Sequence, residues 1–172
     1  MLLPTTAGAD HLGPLVMFRI ACHRFGHDVV VAAPASFAAA VHRAGFAHAP
    51  FADPAPAVRD AVIADISRLA LHEANVRVIR DVFARIDATA ALPGLQALLG
   101  AWRPDVIIRE TYEYGSYVAA ERNEIPHAQV DVVLAWFEEF GLSVVEAPLN
   151  ELRASVGLGP DPGLVRLLAA PH

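Results

Sequence analysis

Asp28-Val29-Val30-Val31-Ala32-Ala33 contains a continuous run of β-branched and small apolar residues from Val29 onward, and Gly26 and Pro34 bound the stretch. Such continuous apolar runs are typical of strands that are buried on both faces of a parallel sheet. Val106-Ile107-Ile108 has the same character later in the chain. The two runs therefore predict two inner strands of a parallel sheet.

The rest of the chain alternates between strand-like and helix-like segments. Further strands are predicted over residues 1–6, 46–51 and 125–130. Helices are predicted over residues 14–25, 36–44, 58–71, 72–92, 95–102, 114–122 and 148–156, with a last turn over 164–168. This order favours βαβ units. The sequence predicts an α/β fold: a Rossmann-like, doubly wound parallel sheet with helices on both faces, in a single domain.

Glycine, proline and apolar spacing define the predicted boundaries in more detail. Gly8 and Gly13 predict a turn between the first strand and the first helix. Pro93-Gly94 predicts a break between two helices. Steps of three and four residues predict one buried stripe on the long helix, formed by Ile79, Phe83, Ile86 and Ala90.

The amino-acid composition argues against nucleic-acid and membrane partners. The net charge is −6, and all 13 positive charges are arginines scattered along the chain. Nucleic-acid-binding proteins normally carry a clustered basic surface, so we expect no nucleic-acid partner. No apolar stretch reaches the roughly 18 residues of a membrane span, and the first residues lack the features of a signal peptide. We expect no membrane partner and a cytoplasmic protein.

The segment after the first strand contains the first candidate for chemistry, His11. Ligands of doubly wound sheets bind beyond the carboxyl ends of the strands, and this segment lies there in the predicted fold. An imidazole with a pKa near neutrality is suited to act as a general base on a hydroxyl group. The alternative is a histidine that is merely exposed or that caps the helix. Gly8 and Gly13 would let backbone approach a ligand closely.

A second candidate segment follows the strand at Val106-Ile107-Ile108. Glu110 reaches the same edge of the sheet, where a carboxylate can orient a histidine and stabilise its protonated form. The alternative is a solvated charge pair with Arg109, which would contribute little. Tyr112 and Tyr114 are candidates for the wall of a pocket that binds a flat or apolar ligand, or for packing.

The other histidines show no spacing typical of metal ligands, so we expect no metal site. His127 begins a predicted strand near the presumed crevice and is kept as a further candidate. Cys22 is the only cysteine, which excludes an internal disulfide.

Several segments resemble the N-terminal domain of bacterial GT-B glycosyltransferases that act on macrolides, anthracyclines and related natural products. The likeness runs from about residue 3 to residue 168. It is carried by Ala7-Gly8-Ala9-Asp10-His11-Leu12-Gly13-Pro14-Leu15, Gly26-His27-Asp28-Val29-Val30-Val31-Ala32-Ala33-Pro34, Ala44-Gly45-Phe46, Trp102-Arg103-Pro104-Asp105-Val106-Ile107-Ile108-Arg109-Glu110, Ala119-Ala120-Glu121 and Ile125-Pro126-His127. The chain departs from the family pattern at Asp10, where relatives carry glycine, and at Met17, where they carry proline.

The resemblance implies an enzyme of two Rossmann-like domains that face each other across a cleft. Residues 1–172 would form the acceptor-binding domain, and the nucleotide-sugar domain would be absent from this chain. The complete enzyme would transfer a sugar from a UDP- or dTDP-sugar to a hydroxyl of a small hydrophobic aglycone, with inversion. No other cofactor and no metal would be needed. Without its partner domain this chain is expected to be inactive and to self-associate through the uncovered face.

The resemblance also assigns roles to individual residues. His11 would be the catalytic base and Glu110 the carboxylate that supports it. Gly8 and Gly13 would approach the cofactor. The acceptor would be bound by Asp10, Leu12, Tyr112, Glu113, Tyr114 and His127.

Two other functions remain open. A non-catalytic small-molecule-binding or accessory module would keep the acceptor crevice without sugar transfer. An unrelated nucleotide-binding protein of flavodoxin-like type would need a phosphate-binding loop, and the sequence contains no such motif.

Overall fold

Five strands form one fully parallel sheet at the centre of the computed structural model. The strands are β1 (Leu2–Pro4), β2 (Val30–Pro34), β3 (Ala47–Phe51), β4 (Ile107–Glu110) and β5 (His127–Val130). Their order across the sheet is β3-β2-β1-β4-β5. Leu2 pairs with Val30 on one side and with Ile107 on the other, so the two apolar runs flank β1.

The structure describes the backbone of residues 1–168 and every side chain within that range except those at positions 135, 136, 138 and 168. The helices are α1 (Ala9–Arg24), α2 (Ala38–Arg43), α3 (Pro56–Ile66), α4 (Leu71–Arg77), a π-helix (Val78–Asp87), α5 (Ala88–Ala101), α6 (Gly115–Arg122), α7 (Ala135–Ser155) and α8 (Val165–Leu168), with 3₁₀ turns at Ala35–Phe37 and Pro162–Leu164. None of these helices combines the length and apolar character that crossing a bilayer requires.

Side chains that alternate along the strands build a core on each face of the sheet. Leu2 and Ile107 belong to the larger core, with α5, α6 and α7. Leu3 and Val31 point the other way and pack against Leu15 of α1. Successive strand residues face opposite sides, so both faces need a helical cover. The predicted α/β fold, with a parallel sheet and helices on both faces, is confirmed.

Helix α1 begins at Ala9, so the prediction of a turn up to Gly13 is wrong. Gly8 is the extended N-cap residue, with φ −165° and ψ 137°, and its carbonyl accepts a hydrogen bond from the backbone N–H of Leu12 (3.0 Å). Leu12 and Leu15 both pack into the core. This packing stabilises the early turns of the helix and places His11 within the first of them.

Helix α5 runs through Pro93 and Gly94, so the predicted break there is also wrong. Buried Leu92 and Leu95 hold both halves of the helix on the sheet. Gly94 lies where the helix approaches β3 most closely: a Cβ at this position would stand 2.8 Å from the Cβ of Phe51. Similarly, α7 begins at Ala135 and continues through Pro148, where the sequence predicts only its last part.

The π-helix changes the predicted buried stripe. Its wider turns, closed by i→i+5 hydrogen bonds, rotate later residues away from the positions that a regular α-helix would give them. Ile79 is buried as predicted, whereas Val82 and Ala84 are buried in place of Phe83 and Ile86. Phe83 is only half-buried and lies beside His11.

The close approach at Gly94 gives a stability prediction. Gly94→Ala should lower the free energy of unfolding by about 1–3 kcal/mol, because the added methyl overlaps Phe51 and forces backbone to shift. Gly100→Ala on the same helix is the matched control, since its Cβ would meet no atom within 4 Å. It should be neutral or stabilising by up to about 1 kcal/mol. Urea unfolding of both variants tests this, and equal effects would contradict it.

Candidate active site

The carboxyl ends of β1 and β4 meet at the point where the sheet changes its winding direction. From β1 the chain passes to α1 on one face, and from β4 it passes to α6 on the other. The segments that leave two such strands diverge and open a crevice, which is the usual ligand site of doubly wound sheets. His11 lies on α1, the helix that follows β1, and Glu110 is the last residue of β4. This topology therefore brings the two side chains together.

His11 lies beside this crevice, and its side chain is only 12% exposed. Its Nδ1 is 3.0 Å from Oε2 of Glu110, although the ring N–H is not well aligned with that oxygen, so the contact is mainly electrostatic. The imidazole also contacts Phe83 and Tyr112, with ring centroids 5.5 and 5.8 Å away. These two aromatic rings stack on each other at 4.9 Å. The imidazole is therefore held by one carboxylate and two aromatic rings.

Glu110 is fully buried, and three donors from the protein hold its carboxylate. Its Oε1 accepts hydrogen bonds from the backbone N–H (3.2 Å) and the hydroxyl (3.0 Å) of Thr6. Its Oε2 accepts one from the backbone N–H of Tyr112 (2.8 Å). These donors compensate the cost of burying a carboxylate and fix its position beside His11.

Arg109 is not the partner of Glu110 in a solvated pair. Adjacent residues of a strand face opposite sides of the sheet. The buried Arg109 guanidinium donates to the carbonyl oxygens of Thr111 and Leu167, at 3.2 Å each, and to the side chain of Gln129. The alternative interpretation of Glu110 as an exposed charge is therefore wrong.

The electrostatic environment raises the pKa of His11 above its usual 6.5. Burial is the largest single effect, and it opposes protonation. The carboxylate of Glu110 favours the protonated ring, and those of Asp10 and Asp87 add to it, so that together they outweigh burial. The site is thus arranged to stabilise an imidazolium ion.

Gly8 provides room for the imidazole. A Cβ at this position would lie 2.6 Å from Cδ2 of His11 and 2.7 Å from Oδ1 of Asp10. Asp10 itself points into solvent, with its Oδ2 3.9 Å from Nε2 of His11. The departure from the family pattern at Asp10 therefore does not separate His11 from Glu110.

A partly open cavity lies along the carboxyl ends of four strands, next to this pair. Its walls are mostly apolar or aromatic. Six of its lining residues, which come from β2, β3, the π-helix and the segments after β1 and β4, are Thr6, Pro34, Phe51, Asp87, Tyr112 and Tyr114.

Two carboxyl groups at this cavity titrate close to neutral pH. Burial raises the pKa of Asp87 to about 6, against the opposing influence of Arg59 and His11. Burial raises the pKa of Glu113 to about 7, although its Oε2 accepts a hydrogen bond from the backbone N–H of Ser116 (2.9 Å) at the start of α6. Among the described residues, no three His, Cys, Asp or Glu side chains come together to hold a metal ion.

Of the predicted site residues, the structure brings His11, Glu110, Tyr112, Glu113 and Tyr114 to one crevice. It places three others elsewhere, for reasons of local geometry.

Leu12 follows His11 on the helix and therefore turns into the core beneath α1. Gly13 lies on the exposed side of α1, where a Cβ would meet no atom within 4 Å. His127 begins β5 and pairs with Ile107, so it lies at the amino edge of the sheet, opposite the crevice. There it is 3.5 Å from Glu121.

Sequence reasoning missed Thr6, Phe83 and Asp87. The position of Thr6, directly after β1, is a signal that was available. Phe83 fits the predicted buried stripe, so nothing in the pattern assigns it to a site. Asp87 reaches the cavity only because of the π-helix, which no spacing in the sequence predicts.

Comparison with known proteins supports one family. The family described as "Erythromycin biosynthesis protein CIII-like, N-terminal domain" matches residues 20–157. L-demethylnoviosyl transferase of Streptomyces niveus is 30% identical over 126 residues, which are 73% of this chain and 32% of that protein.

Two solved structures share the fold. The glycosyltransferase SsfS6 of Streptomyces sp. SF2575 superposes with a TM-score of 0.70 at 23% identity, over 94% of this chain and 47% of its own. SsfS6 has also been solved in complex with thymidine diphosphate. The spinosyn rhamnosyltransferase SpnG, solved with spinosyn aglycone, gives a TM-score of 0.73 at 21% identity, over 92% of this chain and 41% of its own.

The chain spans about a third of the length of the curated relative and less than half of the two solved enzymes. The family match covers most of the chain, and the fold agrees with it. The chain therefore belongs to the erythromycin biosynthesis protein CIII-like N-terminal domain family, and it is an N-terminal domain of the natural-product glycosyltransferase type.

Proposed function

We propose that this chain is the acceptor-binding half of an inverting glycosyltransferase, in which His11 deprotonates a hydroxyl of a small natural-product aglycone. The observation that carries the proposal is the contact of Nδ1 of His11 with the buried carboxylate of Glu110. Pairing at Nδ1 favours the tautomer whose Nε2 holds the free lone pair. Nε2 is then the nitrogen available to act as a base.

The proposed reaction needs one proton transfer and one displacement. Nε2 of His11 removes the proton of the acceptor hydroxyl, and the oxygen attacks the anomeric carbon of the sugar. A new C–O bond forms as the bond between that carbon and the diphosphate oxygen breaks on the opposite face, which inverts the centre. Glu110 stabilises the imidazolium that results and keeps the ring oriented.

The cavity supports a small, largely apolar acceptor, because aromatic and proline side chains form much of its wall. The complex of SpnG with spinosyn aglycone supports an acceptor of this class. The complex of SsfS6 with thymidine diphosphate supports a dTDP- or UDP-sugar as donor.

We infer that residues 1–172 form the acceptor domain, of which residues 169–172 lie outside the described part of the chain. We further infer that transfer requires a nucleotide-sugar domain beyond these residues. For Gly8 the geometry favours making room for His11 over binding a cofactor.

Complementation tests the proposal directly. This chain is fused to or mixed with the C-terminal domain of a related glycosyltransferase, and sugar transfer to candidate aglycones is followed by mass spectrometry. His11→Ala should lower kcat by about 10²-fold or more, as expected for loss of a general base. Glu110→Gln should lower kcat less, since the base itself remains.

His23→Ala is the matched control, because His23 is an exposed histidine on the same helix, and it should leave transfer unchanged. Transfer that survives in His11→Ala would contradict the proposed base. If aglycones bind but no added C-terminal domain restores sugar transfer, the chain is a non-catalytic binding module and the proposed enzymatic function is wrong.

A pH titration of His11 in this chain alone tests whether the carboxylate of Glu110 stabilises the imidazolium ion. The pKa of His11 should lie above 6.5 in the unaltered protein, and Glu110→Gln should lower it because the charge that favours the imidazolium is removed. NMR of the imidazole resonances against pH measures both values. Glu124→Gln, at an exposed position on the turn before β5, serves as control. An unchanged pKa in Glu110→Gln would contradict the pairing.

Self-association stays a prediction as well. Met17, Ile20 and Phe25 expose large apolar side chains along α1 and at its end. We expect the apparent mass from light scattering to rise with protein concentration. A strictly monomeric particle at high concentration would contradict this.

A further inference from the structure

Helix α1 carries apolar side chains on two opposite sides. Leu12 and Leu15 pack into the core. Met17 and Ile20 lie on the other side, where 66% and 55% of their surface is exposed. A helix that is apolar on both sides is normally covered on both, because exposed apolar surface is unfavourable in water. The outer side of α1 therefore has the composition of a contact surface, although no described residue covers it.

The outward residues of α1 form one row along the whole helix, here called the outer stripe. Steps of three and four residues alternate along it, through the exposed positions Asp10, Gly13, Met17, Ile20 and Arg24. This spacing keeps side chains on one side of a helix, and it is the spacing by which two helices pack alongside each other. Apolar residues occupy the middle of the outer stripe, and a charge lies at each end.

The two charges are opposite in sign and equally far from the centre of the outer stripe. Asp10 lies in the first turn of α1 and Arg24 in the last, and each is seven residues from Met17. In an antiparallel pair of α1 helices centred on Met17, Asp10 of each copy faces Arg24 of the other. In a parallel pair, like charges would face each other at both ends. The outer stripe is therefore complementary to a second copy of itself in the antiparallel direction only.

We propose that two copies of this chain form a closed dimer, in which their α1 helices pack antiparallel along the outer stripe around a twofold axis near Met17. Each copy uses the same surface, so the contact closes on itself and assembly stops at two chains. A contact along one helix of 16 residues belongs to the small end of protein interfaces. We therefore expect a dissociation constant in the micromolar range or weaker.

Sedimentation equilibrium of this chain at low salt, over a range of concentrations, tests the dimer. The mass should rise towards twice the chain mass of 18.4 kDa and go no higher. Met17→Glu should prevent dimerisation, because it brings two like charges together at the axis. Leu71→Glu is the matched control, since Leu71 is a 78% exposed apolar residue on α4, away from the outer stripe. It should leave the equilibrium unchanged.

Charge reversal tests the antiparallel direction. Asp10→Arg and Arg24→Asp should each raise the dissociation constant about tenfold, because each turns two attractive contacts per dimer into two repulsive ones. Combining both substitutions in one chain should restore the affinity, since opposite charges again meet at both ends. Asp65→Arg and Arg68→Asp make the same changes of net charge at exposed positions elsewhere, and they should have no effect.

Circular dichroism and thermal unfolding verify that each variant is folded; should Asp10→Arg not fold, Arg24→Asp and its control carry the comparison. Four results would overturn the proposal: a monomer at every concentration, a mass beyond two chains, a dimer that survives Met17→Glu, or single charge reversals without effect. A double reversal that fails to restore the affinity would overturn the antiparallel pairing as well. None of these outcomes bears on sugar transfer, which the complementation experiment tests separately.

Discussion

The carboxylate of Glu110 is buried at the carboxyl end of β4, and its charge is the constraint around which the crevice is arranged. A buried charge is tolerated only with partners, and here they come from three different segments: Thr6 after β1, the backbone after β4, and His11 at the start of α1. All three converge because β1 and β4 are neighbours at the point where the winding of the sheet reverses. The position of the imidazole is thus a consequence of strand order.

The π-helix and α5 shape the cavity next to the pair of His11 and Glu110. The π-helix turns Phe83 toward His11 and Asp87 toward the cavity, and α5 packs so closely on β3 that a Cβ at position 94 would stand 2.8 Å from the Cβ of Phe51. Both features lie in the region between β3 and β4, outside the strands that bring His11 and Glu110 together. The cavity therefore combines this region with the segments after β1 and β4, which contribute Thr6, Tyr112 and Tyr114.

The carboxyl groups of the crevice divide their roles by environment. Glu110 receives three hydrogen bonds from the protein, whereas burial shifts the pKa values of Asp87 and Glu113 towards neutrality. Glu113 holds the first turn of α6 through the backbone N–H of Ser116, while Oδ1 of Asp87 has no hydrogen-bond partner among the described residues. Similar side chains thus meet different surroundings: three hydrogen bonds hold Glu110 beside His11, and one from Ser116 holds Glu113 at the start of α6.

The sequence by itself determined the parallel α/β sheet, because continuous apolar runs such as Val29-Val30-Val31 are stable only when both faces are covered. It also determined that His11 and Glu110 share an edge, since His11 lies on the segment after the first predicted strand and Glu110 on the segment after Val106-Ile107-Ile108. It did not determine the start of α1, the continuity of α5 or the π-helix, where packing on the sheet overrides local glycine and proline signals. Leu12, Gly13 and His127 were assigned to the crevice by proximity in sequence, whereas helix rotation and strand direction place them elsewhere. Tertiary structure alone decided that Phe83 and Asp87 belong to the site, because side-chain direction depends on how each helix is wound and what it packs against.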